Sequence, residues 1–510
     1  MADYTIGIDV GTQGTKAALM NTKGQIVAES FAPSRLIRPA PDQIEQDPDD
    51  LLSAGIASIR DVMEKAGCRP GEVAAVALAG QMAGIMGIGR DGQAVTPYDS
   101  WLDQRCGACW DDLREIGETK IIKLTGGPIT YAHGPKVLWW KKFRPDQYRQ
   151  IASFVQPASW LAMQLCGLDG SQAFIDHTYL HFSGFADTRQ RIWSDELLQT
   201  SGVERNKMPR IVRPADIVGH VTQSMAEATG LLAGTPVAAG CGDTAASIFG
   251  AGVTQAGMAI DVAGTASVFG VAVDRFAPDT TNRTLLFAPS VLDGLYTPMA
   301  YINGGGLCLK WLRDEIFGDE EQAPSYRRLD EMAAQIAPGS DRLLFIPHFS
   351  GRVCPNDGVV RGSWIGLSWT HGRSHLFRSA IESFAYEYAM YLDILRRQLP
   401  DVAVSQVINV GGGAKSHLMQ QIKADVLGIP WTAAAYSDTG LLGTGVLAGL
   451  SVGLFDDPVK TLQMINQQTE PVQPDMSRHQ LYQPYRQAYQ DALTALRPVY
   501  AALQEHQRKD

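Results

Sequence analysis

An α/β protein of more than one domain is what this sequence predicts, and three observations carry the prediction. Short β-branched strands alternate with helical periods along the chain. The 510 residues exceed what one hydrophobic core usually supports. A strand–small turn–strand unit near the start, IGIDVGTQGT, returns near the middle as AIDVAGTAS, placing Ile8 and Ile260 in equivalent positions. The repeat divides the chain near its midpoint, into residues 1–250 and 251–510.

Each element follows from its local pattern. Tyr4 to Val10 is a short apolar strand, Gly11 to Gly14 breaks it, and Ala17 to Met20 resumes. Gly24 breaks the chain again before IVAES, so the start is a strand meander with glycine turns. Pro48 to Lys65 has helical periodicity, with Leu52, Ile56, Ile59 and Met63 on one face. VAAVALAG, residues 73–80, has the continuous apolar character of a buried strand. A strand at 236–239 runs into the turn Gly240–Cys241–Gly242, and Asp243 stands at a helix start. Val407 to Val410 is a strand, followed by Gly411, Gly412 and Gly413 and then a helix. GTGVLA, residues 443–448, has the form G-x-G-x-x-A but follows no clean strand, which makes it a poor dinucleotide fingerprint. From Ser477 onward, Leu481, Tyr485, Tyr489, Leu493, Leu496 and Tyr500 recur at helical spacing and predict an amphipathic helix on the body.

Composition narrows the function classes. With 45% hydrophobic and 19% charged residues, the chain is an ordinary globular protein. A formal net charge of −10 argues against a nucleic-acid partner, which needs a basic stripe. No run of 18 apolar residues predicts a membrane span. The N-terminus lacks a secretory leader, and seven scattered cysteines predict reduced thiols and a cytoplasmic location. Cys106 and Cys109 form a CxxC without a second pair or adjacent histidines, which favours a structural role over a metal site.

Three stretches carry chemistry. The Gly/Thr turn after Asp9 exposes backbone N–H groups and hydroxyls, a concavity suited to phosphate oxygens. Asp9 at its lip cannot meet phosphate directly, but it can hold a divalent cation through water. Lys16 either neutralises phosphate or is a solvated strand lysine, and a plain hairpin remains the alternative for the whole segment. There is no G-x-x-x-x-G-K-[ST], which excludes a P-loop. Asp243 is either a helix N-cap or a general base that takes the proton from an attacking alcohol. The triglycine at 411–413 lets the backbone approach a flat ligand closely.

Taken together, these pieces resemble the FGGY carbohydrate kinases of the actin-like ATPase superfamily, and within them the xylulokinases. The resemblance spans nearly the whole chain. DYTIGIDVGTQGTKAAL is similar to the family's first phosphate motif, DQIEQDPDD to the acidic segment after it, and GQMAGIMGIGRDGQAVTPYDSWLDQR to the sugar-site stretch. GPKVLWW is similar to one family signature, GCGDTAAS to the catalytic-base segment, DVAGTAS to the second phosphate motif and NVGGGAKS to the adenosine motif. GSWIGL followed by HLFRSAIE is similar to the C-terminal signature.

The resemblance implies two ribonuclease-H-like α/β domains facing a central cleft, with sugar held on the N-terminal side and ATP on the C-terminal side. It implies ATP and Mg²⁺, with Asp9 as the Mg²⁺ aspartate, acting through water. Gly11, Thr12, Gln13, Gly14 and Thr15, with Lys16, correspond to the first phosphate loop, and Gly264 and Thr265 to the second. Gly411, Gly412 and Gly413 would flank adenine and ribose. Asp243 corresponds to the base, and Gln81, Met82, Asp103 and Arg105 to the polyol contacts. Arg105 has a helix-surface ion pair as its alternative, and Trp101 either packs beneath the sugar or belongs to the core. Asp261, the echo of Asp9, is structural. The implied reaction is phosphorylation of a ketose, D-xylulose to D-xylulose 5-phosphate first. Another pentulose, a polyol or an aldonate is the alternative acceptor, and a nucleotide-driven switch without a small substrate is a distant one. Similar kinases are often homodimers. The chain departs from the xylulokinase pattern at Met82-Ala83, where Met-His is usual, at SGRVCPNDGVVRG, and at His133 upstream of Lys136. The loss of the histidine at 83 puts the identity of the sugar in question.

Overall fold

The protein is described from a computed structural model, covering residues 3–318, 323–455, 457–466 and 470–507. The N-terminal half begins with strands β1 (Tyr4–Val10), β2 (Gly14–Asn21) and β3 (Ile26–Pro33), then helix α1 (Pro48–Ala66) and strand β4 (Val73–Gly80). It continues through α2 (His133–Phe143), β5 (Ile217–His220), β6 (Pro236–Ala238) and α3 (Asp243–Gly250). These strands form one sheet in the order β5-β6-β4-β1-β2-β3. The C-terminal half contains β7 (Met258–Ala263), β8 (Ser267–Val271), β9 (Leu286–Pro289), β10 (Tyr296–Ile302) and α4 (Gly305–Trp311). Helix α5 (Arg373–Gln398), β11 (Gln406–Val410), α6 (His417–Leu427), β12 (Trp431–Ala433), α7 (Thr439–Ser451) and α8 (Met476–Gln507) complete it. The second sheet has the order β9-β10-β8-β7-β11-β12.

The half-chain echo is a repeat of topology. Strand β1 pairs antiparallel with β2 and parallel with β4, and β7 pairs antiparallel with β8 and parallel with β11. Ile8 lies opposite Ala17 and Leu78, and Ile260 lies opposite Gly270 and Ile408. Because side chains alternate along a strand, the residue after each isoleucine points to the other face. Asp9 and Asp261 are therefore equivalent positions in two similar sheets.

Helix α1 starts where Asp47 accepts from the Asp49 N–H and Pro48 occupies the first turn, and ends at Gly67 with φ 59°. Its buried face is Leu51, Ala54, Gly55, Ser58, Ile59, Val62 and Met63. The expected face is thus rotated: Ile59 and Met63 belong to it, while Leu52 and Ile56 sit at its margin. Small residues let the helix approach its neighbours, and apolar counting alone misses them: Ser58 donates to the Thr15 carbonyl of β2 and accepts from Ser30 of β3, and Gly55 lies against Leu161. The opposite face of the N-terminal sheet is covered by α3 and by α7, which arrives from the second half of the chain. Helix α7 approaches β1 at backbone distance: a Cβ on Gly7 would lie 2.6 Å from the Gly445 nitrogen, and Thr5 Oγ1 donates to the Gly445 carbonyl at 2.9 Å. GTGVLA is therefore the middle of a helix whose glycines permit close packing, and it forms no nucleotide loop.

In the C-terminal half, α5, α6 and α8 pack together over the second sheet. The buried tail positions are Tyr482, Tyr489, Leu493 and Tyr500, whereas Leu481 is exposed. The tyrosines turn inward where their hydroxyls find partners: Tyr482 donates to Glu382, Tyr489 to Glu387, and Tyr500 pairs with the Ser363 hydroxyl. No helix among the described residues is long and apolar enough to cross a membrane.

Candidate active site

The first cradle is the β1–β2 connection. The Gly11 N–H donates to the Gly14 carbonyl at 3.0 Å, closing the turn, and the Ser34 N–H holds the Gln13 carbonyl at 3.1 Å. Thr12 Oγ1 donates to Gln81 Oε1 at 3.1 Å and accepts from Trp101 Nε1 at 2.9 Å. Gln81 donates to Gln46 at 2.7 Å, and Gln46 returns to the Thr12 carbonyl at 3.2 Å. This ring joins the turn to the segment expected to hold the acceptor. Trp101 is half-exposed and spends its indole N–H on Thr12, so it belongs to this ring and not to the core. Thr15 Oγ1 is buried and has no protein partner.

The second cradle follows β7. The Gly264 N–H donates to the Ala266 carbonyl at 3.0 Å, and the Leu307 N–H donates to the Thr265 carbonyl at 3.3 Å, seating the start of α4 against the loop. Gly411 closes in from β11: its φ is 88°, and a Cβ there would lie 2.8 Å from the Ala263 carbonyl oxygen. Gly264, Thr265 and Gly411 are thus neighbours, with Gly412 and Gly413 on the short helical turn that follows. Sequence reasoning missed a second triglycine, Gly304 to Gly306. It too stands between a strand and a helix, in the sequence INGGGLCLKW, and that shared pattern was available to find it. Beyond Gly304 and Leu307 opens a cavity of about 400 Å³ lined also by Lys310, Trp311 and Asp314.

Asp9 is the electrostatic centre of the site. It is half-buried, with its Oδ1 fully shielded, and its carboxyl is pushed up to about 7, first by burial and then by the charges of Asp243 and Asp438, with Lys16 opposing. Its Oδ1 has no hydrogen-bond partner. Asp261 differs at the equivalent position, where Tyr388 donates to Oδ1 at 2.8 Å and Lys423 and Trp431 reach Oδ2 at 2.5 and 3.3 Å. A buried carboxylate oxygen left free suits Mg²⁺, which is commonly held by one or two carboxylates with water and substrate phosphates filling its other positions. The residues present therefore fit Mg²⁺ at Asp9.

Asp243 is the first residue of α3, and Gly242 takes the N-cap position. Burial raises its carboxyl to about 6, while the N–H and hydroxyl of Thr244 work to lower it. Met82 lies over Gly242, with its Cε 2.6 Å from where a Cβ would stand. Met82 and Ala245 share a small cavity with Ala288 and Met299 of the other half. Lys16 Nζ donates to Asp438 Oδ2 at 2.6 Å, linking β2 to the start of α7. Sequence reasoning also missed Asp438, although SDTG ahead of an apolar run signals a helix cap.

Asp103 and Arg105 are placed otherwise than a free polyol contact or a surface pair would be. Both are buried. Asp103 accepts from the Ile44 N–H at 2.8 Å and from Arg105 Nη2 at 2.7 Å, and Arg105 Nη2 also reaches Glu45 at 2.6 Å. The guanidinium lies over the Trp139 ring. Beneath them, the fully buried Lys136 ammonium donates to three carbonyls. Cys106 and Cys109 are buried free thiols, and no group of three metal-ligating side chains occurs among the described residues.

Comparison with known proteins places this arrangement. The description "FGGY family of carbohydrate kinases, N-terminal domain" matches residues 4–250, and its C-terminal counterpart matches residues 259–452. The chain is 28% identical to the xylulose kinase of Escherichia coli, covering 97% of this chain and 100% of that one. It is equally 28% identical to an autoinducer-2 kinase of Yersinia enterocolitica, over 96% of this chain and 95% of the relative. The solved structure of a xylulose kinase from Rhodospirillum rubrum superposes with a TM-score of 0.90 at 25% identity, covering 98% of this chain and all of that one. The matched segments take in both cradles, Asp9, Asp243 and the repeated sheets that carry them, and on that basis the chain belongs to the FGGY family of carbohydrate kinases.

Proposed function

We propose that the protein transfers the γ-phosphoryl group of ATP to a primary hydroxyl of a ketose, with D-xylulose the first acceptor to test. Residues 1–250 form the acceptor side and residues 251–510 the nucleotide side. The observation that carries the reading is the buried, unpartnered Asp9 oxygen beside the half-buried Asp243 carboxylate. Asp243, once ionised, takes the proton as the acceptor oxygen attacks phosphorus in line. The N–H groups of residues 11–15 and of Gly264 and Thr265 hold phosphate oxygens as charge develops on them. Lys16 leaves Asp438 to meet the same charge. The cavity beside Leu307 and Lys310 takes the nucleoside end, with Gly411 to Gly413 along its approach. Asp9 would hold Mg²⁺, which supplies charge neutralisation to the polyphosphate when bound. Gln81 and Met82 border the acceptor, and Trp101 reaches it from Thr12.

A second acceptor class is favoured by one residue. Ala83 offers no imidazole where the xylulokinase pattern has one, and a site lacking one donor changes its ranking of hydroxyl patterns while keeping its reaction. Other pentuloses, polyols and aldonates are therefore candidates. A coupled ADP-release assay over pentuloses, hexuloses, polyols and aldonates tests the proposal. One acceptor should exceed the others by at least tenfold in kcat/KM. ADP release that no acceptor stimulates would overturn it in favour of a nucleotide switch.

A further inference from the structure

The sugar-site turn, Gln81 to Gly84, carries a strained residue. Ala83 has φ 62°, a left-handed conformation that is uncommon outside glycine, asparagine and aspartate. The ends of the turn are tied: the Gln81 N–H donates to the Val10 carbonyl at 3.1 Å, and Ile85 exchanges backbone bonds with Asp99 at 3.2 and 2.8 Å. Between those ties the Ala83 carbonyl is held by Lys136 Nζ at 3.2 Å. The same ammonium donates to the Ser100 carbonyl at 3.0 Å and to the Tyr131 carbonyl at 2.7 Å. Its three protons are thus distributed over three loops. One loop holds Gln81 and Met82, the second leads into Trp101 and Asp103, and the third enters α2 at His133.

Lys136 is fully buried and makes no ion pair with a carboxylate among the described residues. Its direct partners are neutral carbonyls, with the Asp99 and Asp103 charges acting only from beyond contact, and burying a cation so is unfavourable unless all its donors are used. A leucine or methionine would fill the same space for a purely packing role. What a lysine adds is three convergent donors on one atom, and they converge on the backbone of the acceptor site.

We propose that Lys136 is a positioning residue that fixes the acceptor turn by holding the Ala83 carbonyl while Ala83 is in its left-handed conformation. The inference rests on the acceptor reading of residues 81–105. If Lys136 supplies the force that keeps Ala83 strained, a glycine at 83, which adopts that conformation freely, relieves the dependence on the lysine.

The test is a double-mutant cycle of Lys136→Met and Ala83→Gly, measuring KM for acceptor and for ATP separately. Lys136→Met is expected to raise acceptor KM at least tenfold, with ATP KM within twofold of the parent. Ala83→Gly is expected to lower acceptor KM at least fivefold more in the Lys136→Met background than in the parent. Equal rises in both KM values, or an Ala83→Gly effect identical in the two backgrounds, would overturn the proposal. Lys136→Arg provides a second route if Lys136→Met does not fold. It keeps the cation, but its planar fork cannot serve three carbonyls that converge on one point. It should raise acceptor KM by a smaller factor with ATP KM unchanged, and an equal rise in both contradicts the idea. Absence of acceptor-stimulated turnover in the parent enzyme would instead remove the functional reading on which the inference rests.

Discussion

Replacing Asp9 by asparagine should stabilise the metal-free protein at neutral pH, and the size of the effect follows from the site. The carboxyl rises from 3.8 to about 7, chiefly through burial and secondarily through Asp243 and Asp438. A group whose folded pKa is raised contributes stability that is complete below the unfolded value and lost as pH rises through the folded one. The wild type therefore gives up stability between about pH 4 and pH 7, and asparagine does not titrate. At 1.36 kcal/mol per pKa unit, the penalty is about 1.5 kcal/mol at pH 5 and about 4 kcal/mol at pH 8. For a domain of half this chain's length, the larger figure corresponds to roughly 10 °C in Tm. The assay is thermal unfolding of wild type and Asp9→Asn at pH 5 and pH 8, with and without Mg·ADP. The Tm advantage of the variant should grow with pH, and Mg·ADP should shrink it, because binding stabilises only the form that takes up the ion. An advantage equal at both pH values would mean that Asp9 is ionised and satisfied in the free protein. The free Asp9 oxygen would then have no claim to a cation.

Asp243→Asn should lower kcat by ~10²–10⁴ while leaving ATP affinity within a fewfold, since a general base contributes about that much. In the wild type, kcat/KM should rise with pH and level off above about 6, the value to which burial brings Asp243, and stopped coupled assays across pH 4.5–8 should find that limb missing in the variant. Arg105→Met should cost about 3–5 kcal/mol in urea unfolding, because Asp103 and Glu45 lose the cation that balances them in a buried cluster. Gly7→Ala should cost about 1–3 kcal/mol, since the added methyl meets the α7 backbone at 2.6 Å; unchanged stability would show that α7 does not depend on direct contact with β1.

What the sequence made legible was local or repeated. Strand β4 coincides with VAAVALAG, and α1 with the period from Pro48, because a buried strand and a capped amphipathic helix each declare themselves within one turn or pleat. The face of α1 is rotated from the expected one because Gly55 and Ser58 are buried for their smallness, which a count of apolar residues treats as exposure. Leu481 misleads in the same way: the tail faces inward where a hydroxyl finds Glu382 or Glu387, both on α5 about a hundred residues earlier. Arg105 is expected near the acceptor; its guanidinium pairs with Asp103, two residues before it, and with Glu45 on a strand sixty residues earlier, and only the second pairing depends on the fold. Lys136 shows the limit most clearly. The motif GPKVLWW contains it, but nothing in the motif says that the Ala83, Ser100 and Tyr131 carbonyls meet at its ammonium.

The two equivalent aspartates give the physical reason for that limit. Asp9 and Asp261 follow the same isoleucine, precede the same valine and sit at the same place in matching sheets. Local sequence treats them as one residue seen twice. Their chemistry separates only through partners from far along the chain: Tyr388, Lys423 and Trp431 neutralise and saturate Asp261, whereas the charges nearest Asp9 include two more carboxylates. The repeat gives both halves a common strand and turn, but one half can bind a cation only if its copy of the aspartate keeps a free oxygen. The other copy, more deeply buried, has to be satisfied internally or its charge would destabilise the fold. The difference between a structural and a functional carboxylate in this protein is therefore a property of long-range packing. In such a repeat, the copy whose buried oxygen lacks a partner is the one to assign to the ion.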